Sequence, residues 1–202
     1  MDFSENKSSE LVRNFASSIK KRIEMKSNKI QPLYTKLTNG LYMPRLCYGT
    51  WQTPEGTIAC QAVSDAIKAG YRHIDTAFDY KNEKSVGEAI RQSDIPREEI
   101  FLTTKLSGTV KTYEGAKTAI QQSLDNLGLE YIDLYIIHSP WPWEEMGKDF
   151  SQANVEVWRA MEEAHQAGKL KSIGLSNFDV TDIQNILDHC TIKPVVNQST
   201  RR

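Results

Sequence analysis

From Leu33 onward the chain alternates short apolar runs with segments of helical periodicity, each bounded by a turn residue. Strict strand–helix alternation leaves little choice: parallel strands in one sheet, covered by the helices that connect them. The first piece, residues 33–46, reads as a β-hairpin, because Asn39-Gly40 supplies the positive-φ positions of a tight turn. Strands are then expected at 46–49, 72–77, 100–105, 132–138, 170–176 and 194–198. Five helices fall between them. The first presents Ala59, Ala62, Val63, Ala66 and Ile67 on one face and stops at Gly70. The second lies near Lys84–Arg91. The third buries Ala116, Ala119, Ile120, Ser123, Leu124 and Leu127 and ends at Gly128. The fourth carries Val155, Trp158, Met161 and Ala164 and stops at Gly168, and the fifth carries Ile183, Ile186 and Leu187.

Two architectures fit such a pattern, a doubly wound sheet and a (β/α)8 barrel. The first strand is not followed by G-x-G-x-x-G, and G-x-x-x-x-G-K-[ST] occurs nowhere, so both usual nucleotide loops of open sheets are missing. A barrel instead gathers polar residues where its strands end, because its active site lies on that face. Asp75, Lys105, His138, Ser176, Asn177 and Gln198 each fall at or near the end of an expected strand. The fold class expected is therefore α/β, a (β/α)8 TIM barrel. A barrel of this type needs about 250 residues. The roughly 170 after residue 32 supply about six of eight strand–helix units. Residues 1–32 are read as a polar N-terminal extension with one short helix through Leu11, Val12, Phe15, Ile19 and Ile23. Residues 33–202 are read as the barrel, incomplete at its C-terminus.

A net charge of -1, with 25% charged and 39% hydrophobic residues, gives no reason to expect a nucleic-acid or acidic-membrane partner. No apolar run reaches the roughly 18 residues of a membrane span, and the N-terminus lacks the apolar core of a secretory signal. Cys47, Cys60 and Cys190 are not at metal-ligand spacing, so no metal site is expected. Free thiols in a reducing cytoplasm are the simplest reading.

In a barrel, consecutive strands are neighbours, so Asp75, Lys105 and His138 should lie side by side at one mouth. Tyr80 follows Asp75 on the same loop. A free phenol has a pKa near 10, and an ammonium within about 4–6 Å lowers it by roughly 1–3 units. A carboxylate behind the lysine would hold that ammonium in place. The set would form a general acid able to protonate a carbonyl oxygen as hydride reaches its carbon. Each residue alone has an ordinary structural explanation. The coincidence of four complementary groups on three successive strands does not.

The stretch Gly70-Tyr71-Arg72-His73-Ile74-Asp75-Thr76-Ala77-Phe78-Asp79-Tyr80-Lys81-Asn82-Glu83, with Val86-Gly87 after it, resembles the signature of the aldo-keto reductase family. Gly168-Lys169-Leu170-Lys171-Ser172-Ile173-Gly174-Leu175-Ser176-Asn177-Phe178 resembles the family's second signature. Gly49-Thr50-Trp51, and Lys193-Pro194 leading into Val196-Asn197-Gln198, fit as well. The likeness covers about residues 34–198 and is nearest the bacterial small-carbonyl and diketogluconate-reductase-like branch. It implies NADPH-dependent reduction of an aldehyde or ketone to an alcohol, with NADP(H) as cofactor and a small carbonyl as substrate. By resemblance, Tyr80 donates the proton, Lys105 lowers its pKa, Asp75 supports Lys105, and His138 orients the carbonyl. Ser176, Asn177 and Gln198 would hold the nicotinamide carboxamide, with Thr50 near the ribose or pyrophosphate. Trp51 and Trp141 would line the substrate pocket, while Trp143 and Trp158 fit packing roles at least as well.

The family's segment for the cofactor's 2′-phosphate would lie on strands beyond Gln198. Without those strands, weak cofactor binding and poor turnover are expected, with unpaired sheet edges unless another chain closes the barrel. A binding-only module, like the channel-associated β subunits related to the family, is the second reading. An unrelated barrel with a Schiff-base Lys105 is the third, and it leaves Tyr80 and the Ser176-Asn177/Gln198 set unexplained.

Overall fold

A computed structural model describes residues 32–199. The helix read between Leu11 and Ile23 lies outside these residues. The Asn39-Gly40 turn forms as expected: Gly40 has φ 92°, and the Leu37 amide donates to the Leu41 carbonyl at 2.8 Å. Strands β1 (Tyr34–Lys36) and β2 (Tyr42–Pro44) pair antiparallel across it.

Six strands then follow, β3 (Tyr48–Gly49), β4 (His73–Asp75), β5 (Phe101–Leu106), β6 (Leu134–Ile137), β7 (Ile173–Ser176) and β8 (Asn197–Gln198). They form one sheet in chain order, each parallel to the next. Sequential order is what a barrel requires, whereas a doubly wound sheet would reverse direction part-way. The helices α1 (Thr57–Ala69), α2 (Glu83–Arg91), α3 (Tyr113–Leu127), α4 (Ser151–Gln166) and α5 (Val180–His189) fill the successive crossovers. Most of the strands are shorter than the sequence suggests. The shortest, β3 and β8, are the sheet's edges and, among the described residues, find ladder partners on one side only.

Turn chemistry sets the helix ends. Gly70 (φ 107°) and Gly128 (φ 62°) take the left-handed conformation that closes α1 and α3. Thr112 caps α3 by accepting from the Gly115 amide, and Asp179 and Asp182 form a reciprocal capping box on α5. The expected faces of α1, α3 and α4 pack on the sheet. In α5 only Ile186 is buried, and Leu187 is 37% exposed, contrary to expectation. Among the described residues, α5 packs mainly against α4.

Every residue of β4, β5, β6 and β7 is buried, because both faces of the sheet are covered. One apolar layer, including Val63, Ile74, Leu102, Leu124, Ile137 and Trp158, lies between strands and helices. On the inner face Phe101, Leu134 and Ile136 pack with Leu37 of the hairpin, flanked by Met43, Val195 and Val196. Phe101 and Leu134 begin their strands, so the hairpin plugs the N-terminal end of the inner face. That leaves the C-terminal end for polar side chains. No helix among the described residues is long and apolar enough to cross a membrane.

Two features of this packing have measurable consequences. The backbone of Gly87 in α2 lies against the Leu127 carbonyl of α3, where any Cβ would collide. Gly87→Ala should force the helices apart and cost roughly 1–3 kcal/mol in urea denaturation. Burial pulls the Lys111 ammonium from 10.5 down to about 8, with Asp182 opposing. Between about pH 8 and 10.5 the unfolded chain therefore binds a proton that the folded chain does not. Stability should rise with pH across that window, and Lys111→Gln should flatten the rise in parallel denaturation curves.

Candidate active site

The strand-end residues converge as the sequence predicts. Asp75 closes β4, and Lys105 projects from β5 beside it. The Lys105 ammonium donates to Asp75 Oδ1 at 2.5 Å and to the Thr76 carbonyl at 2.8 Å. Both side chains are buried, so water does not screen the pair. Tyr80 ends the short 3-10 helix Phe78–Tyr80, and its ring centroid lies 5.0 Å from the Lys105 Nζ. His138 follows β6, its amide donating to the Leu106 carbonyl at 3.0 Å. Its ring meets Tyr80 edge-on, with centroids 5.6 Å apart. The Tyr80 hydroxyl has no hydrogen-bond partner among the described residues, which leaves it free for a ligand.

The expected cofactor residues sit on the next two strands. Ser176 ends β7, and Asn177 follows in the left-handed region (φ 61°), which Asn tolerates better than most residues. Its amide donates to the His138 carbonyl at 2.9 Å and to Ser176 Oγ at 3.0 Å. Gln198 on β8 donates to Asp75 Oδ2 at 3.1 Å, so the Asp75 carboxylate is held from both sides. The side-chain oxygens of Asn177 and Gln198 accept no hydrogen bond from the described residues.

One expectation is overturned. The sequence predicts that Lys105 lowers the Tyr80 phenol. Instead burial, then the charges of Asp75 and Asp79, push it up to about 12. Lys105 is locked to Asp75, so Tyr80 faces an ion pair and not a lone cation. Burial also pulls the Lys105 ammonium below its usual range despite Asp75. Tyr80 is thus a phenol that keeps its proton across the neutral range.

Thr50 is fully buried. Its amide donates to the Asp75 carbonyl at 2.9 Å and its hydroxyl lies 3.3 Å from Asn82 Oδ1. Asn82 was not singled out by sequence reasoning, yet it organises this corner. It donates to the Thr50 and Thr53 carbonyls at 2.8 and 3.0 Å and accepts from Thr76 at 2.8 Å. That clamp fixes the loop carrying Tyr80 against the loop after β3. Trp51 stands 68% exposed on the latter loop. Trp141 is edge-on to Trp143 at 5.1 Å, and Trp143 reaches the His138 ring at 6.1 Å, so Trp143 belongs to the mouth. Trp158 is a packing residue, buried with its indole N–H on the Ile192 carbonyl. Asp79, also missed, places a carboxylate oxygen 3.4 Å from His138 Nδ1.

A sequential parallel α/β sheet with a Tyr–Lys–Asp–His cluster at its C-terminal edge defines a class, and sequence comparison agrees. The profile of the aldo/keto reductase family matches residues 45–200, and the chain belongs to that family. It is 44% identical over 162 residues to the 9,11-endoperoxide prostaglandin H2 reductase of Trypanosoma cruzi, covering 80% of this chain and 54% of the relative. It is 43% identical to the glyoxal reductase of Bacillus subtilis, covering 81% and 56%. With the methylglyoxal reductase DkgA of Escherichia coli it shares 39% identity, covering 83% and 57%. Among solved structures, an aldo/keto reductase from Brucella melitensis superposes with a TM-score of 0.78 at 43% identity, over 85% of this chain and 64% of that one. The Bombyx mori aldo-keto reductase in complex with NADP gives 0.72 at 37%, over 85% and 59%. The chain spans a little over half the length of the curated relatives it matches.

Proposed function

We propose that this chain carries the catalytic constellation of an NADPH-dependent carbonyl reductase that turns a small aldehyde or ketone into an alcohol. The observation that carries the reading is the buried Asp75–Lys105 pair set against the ring of Tyr80, whose hydroxyl is free and whose ring meets His138. A carbonyl oxygen placed between Tyr80 and His138 would accept hydrogen bonds from both, which polarises the carbon. As that oxygen gains negative charge, it becomes a stronger base than a phenolate. The Tyr80 proton then moves to it, even from a phenol near 12. Lys105 stabilises the phenolate left behind, and Asp75 with Gln198 holds Lys105 in register.

A nicotinamide cofactor would supply the hydride. The residues present suit its carboxamide: Ser176 offers a hydroxyl, and the unused amide oxygens of Asn177 and Gln198 point to an acceptor set for its N–H groups. NADP(H) as the cofactor is supported by relatives solved with NADP and with NADPH. A small dicarbonyl as substrate is supported by relatives named for glyoxal and methylglyoxal. The test is NADPH oxidation with methylglyoxal, run with NADPH binding by fluorescence and with size-exclusion chromatography. Aldehyde-dependent loss of NADPH is expected. Binding of NADPH with no aldehyde-dependent oxidation would favour a binding-only module instead.

A further inference from the structure

His138 Nδ1 is buried and has no well-aimed hydrogen-bond partner among the described residues. Its neighbour is the Asp79 carboxylate, with Oδ2 at 3.4 Å. That acidic residue sits directly before Tyr80 on the same 3-10 helix, whose backbone is pinned by the Tyr80 amide on the Ala77 carbonyl at 3.0 Å. The ring of His138 is confined as well, with Tyr80 and Trp143 edge-on to it. The other ring nitrogen, Nε2, has no partner among the described residues. An ionised carboxylate only accepts hydrogen bonds, and a neutral imidazole carries one N–H. Burial raises the Asp79 carboxyl, but the adjoining His138 ring and the Ser107 hydroxyl outweigh it and leave Asp79 ionised.

We propose that Asp79 is a positioning residue that holds a proton on His138 Nδ1, so that His138 donates to a carbonyl from Nε2 only when doubly protonated. This inference rests on reading His138 as the group that orients the carbonyl. In the neutral ring the Nδ1 proton faces Asp79, and Nε2 is a bare acceptor that repels a carbonyl oxygen. Adding a proton at Nε2 makes the ring a donor there while the Asp79 contact is kept. The charged and titratable groups on this side of the site are Asp79 and Tyr80 against the ring, Lys105, paired to Asp75, over the Tyr80 ring, and Lys111 on the carbonyl of Ser139, the next residue. Asp75 and Lys105 compensate each other, so Asp79 is the carboxylate that the ring feels.

The direct test is long-range proton–nitrogen NMR of the full chain with 15N-labelled histidine, in buffer alkaline enough to keep the rings neutral. His138→Gln identifies the His138 signals among those of the four histidines. The wild-type chain should show the Nδ1–H tautomer, Asp79→Asn should keep it through its amide oxygen, and Asp79→Leu should shift toward Nε2–H. A wild-type Nε2–H tautomer, or no change in Asp79→Leu, overturns the proposal. Methylglyoxal reduction provides the functional arm. Wild-type kcat/KM should be lower in the buffer where NMR shows the His138 ring neutral than where it shows it doubly protonated, and Asp79→Leu should lose that difference. Absence of turnover in every form would count against the reductase reading, whereas the tautomer is read without substrate.

Discussion

Replacing Tyr80 with phenylalanine should lower carbonyl reduction by about 10²–10⁴-fold, the usual contribution of a positioned general acid. The substitution removes one oxygen and keeps the ring that Lys105 and His138 pack against. Because the Tyr80 hydroxyl bonds to no other described residue, its loss should leave the melting temperature almost unchanged. Retained fold, retained NADPH binding and lost turnover together would mark a chemical role. The phenol near 12 adds a pH signature. Tyr80 stays protonated through the neutral range, so it should impose no loss of activity until the pH approaches that value. Turnover in Tyr80→Phe equal to wild type would mean that protonation comes from elsewhere.

The second large effect concerns the ion pair. Lys105→Met should destabilise the chain by about 3–5 kcal/mol, because it leaves the Asp75 carboxylate buried without its cation. Gln198 would remain as a neutral donor at 3.1 Å, which offsets part of that loss. The double variant Asp75→Leu with Lys105→Met should recover much of the stability, since no charge is then left in the interior. It should recover no activity. Urea denaturation of Lys105→Met, of Asp75→Leu alone and of the double variant gives the coupling directly. A loss below about 1 kcal/mol in Lys105→Met would mean that the pair is solvated and contributes as little as a surface salt bridge.

Much of this site was legible in the sequence because a parallel barrel turns strand order into spatial order. Once Asp75, Lys105, His138, Ser176 and Gln198 are placed at strand ends, adjacency follows from the alternation alone. The Asn39-Gly40 turn and the Gly70 and Gly128 stops were readable for a different reason, since each needs a backbone conformation few residues tolerate. What the sequence hid depends on distances and burial. The Asp75–Lys105 pair was expected, but nothing in the spacing reveals that burial, with the charges of Asp75 and Asp79, outweighs the ammonium, so the direction of the Tyr80 shift was read the wrong way. Asn82 lay within the recognised stretch, but its role emerges only when two loops distant in sequence are brought to the same amide. Asp79 and Trp143 were missed because loop residues carry no periodicity to place them. For α5, helical spacing marked Leu187 for burial, but the packing partners covering that helix in the structure leave it exposed.

In the proposed reaction these side chains aim a hydride at a carbonyl held by Tyr80 and His138, with the nicotinamide fixed by Ser176, Asn177 and Gln198. The most direct test uses NADPH deuterated at one or the other face of the nicotinamide C4, incubated with the chain and methylglyoxal. Mass spectrometry of the alcohol then reads the transferred label, even when turnover is slow. The account predicts deuterium on the carbinol carbon from one face alone, with the transfer lost in Tyr80→Phe. Label from neither face, or equally from both, would contradict it.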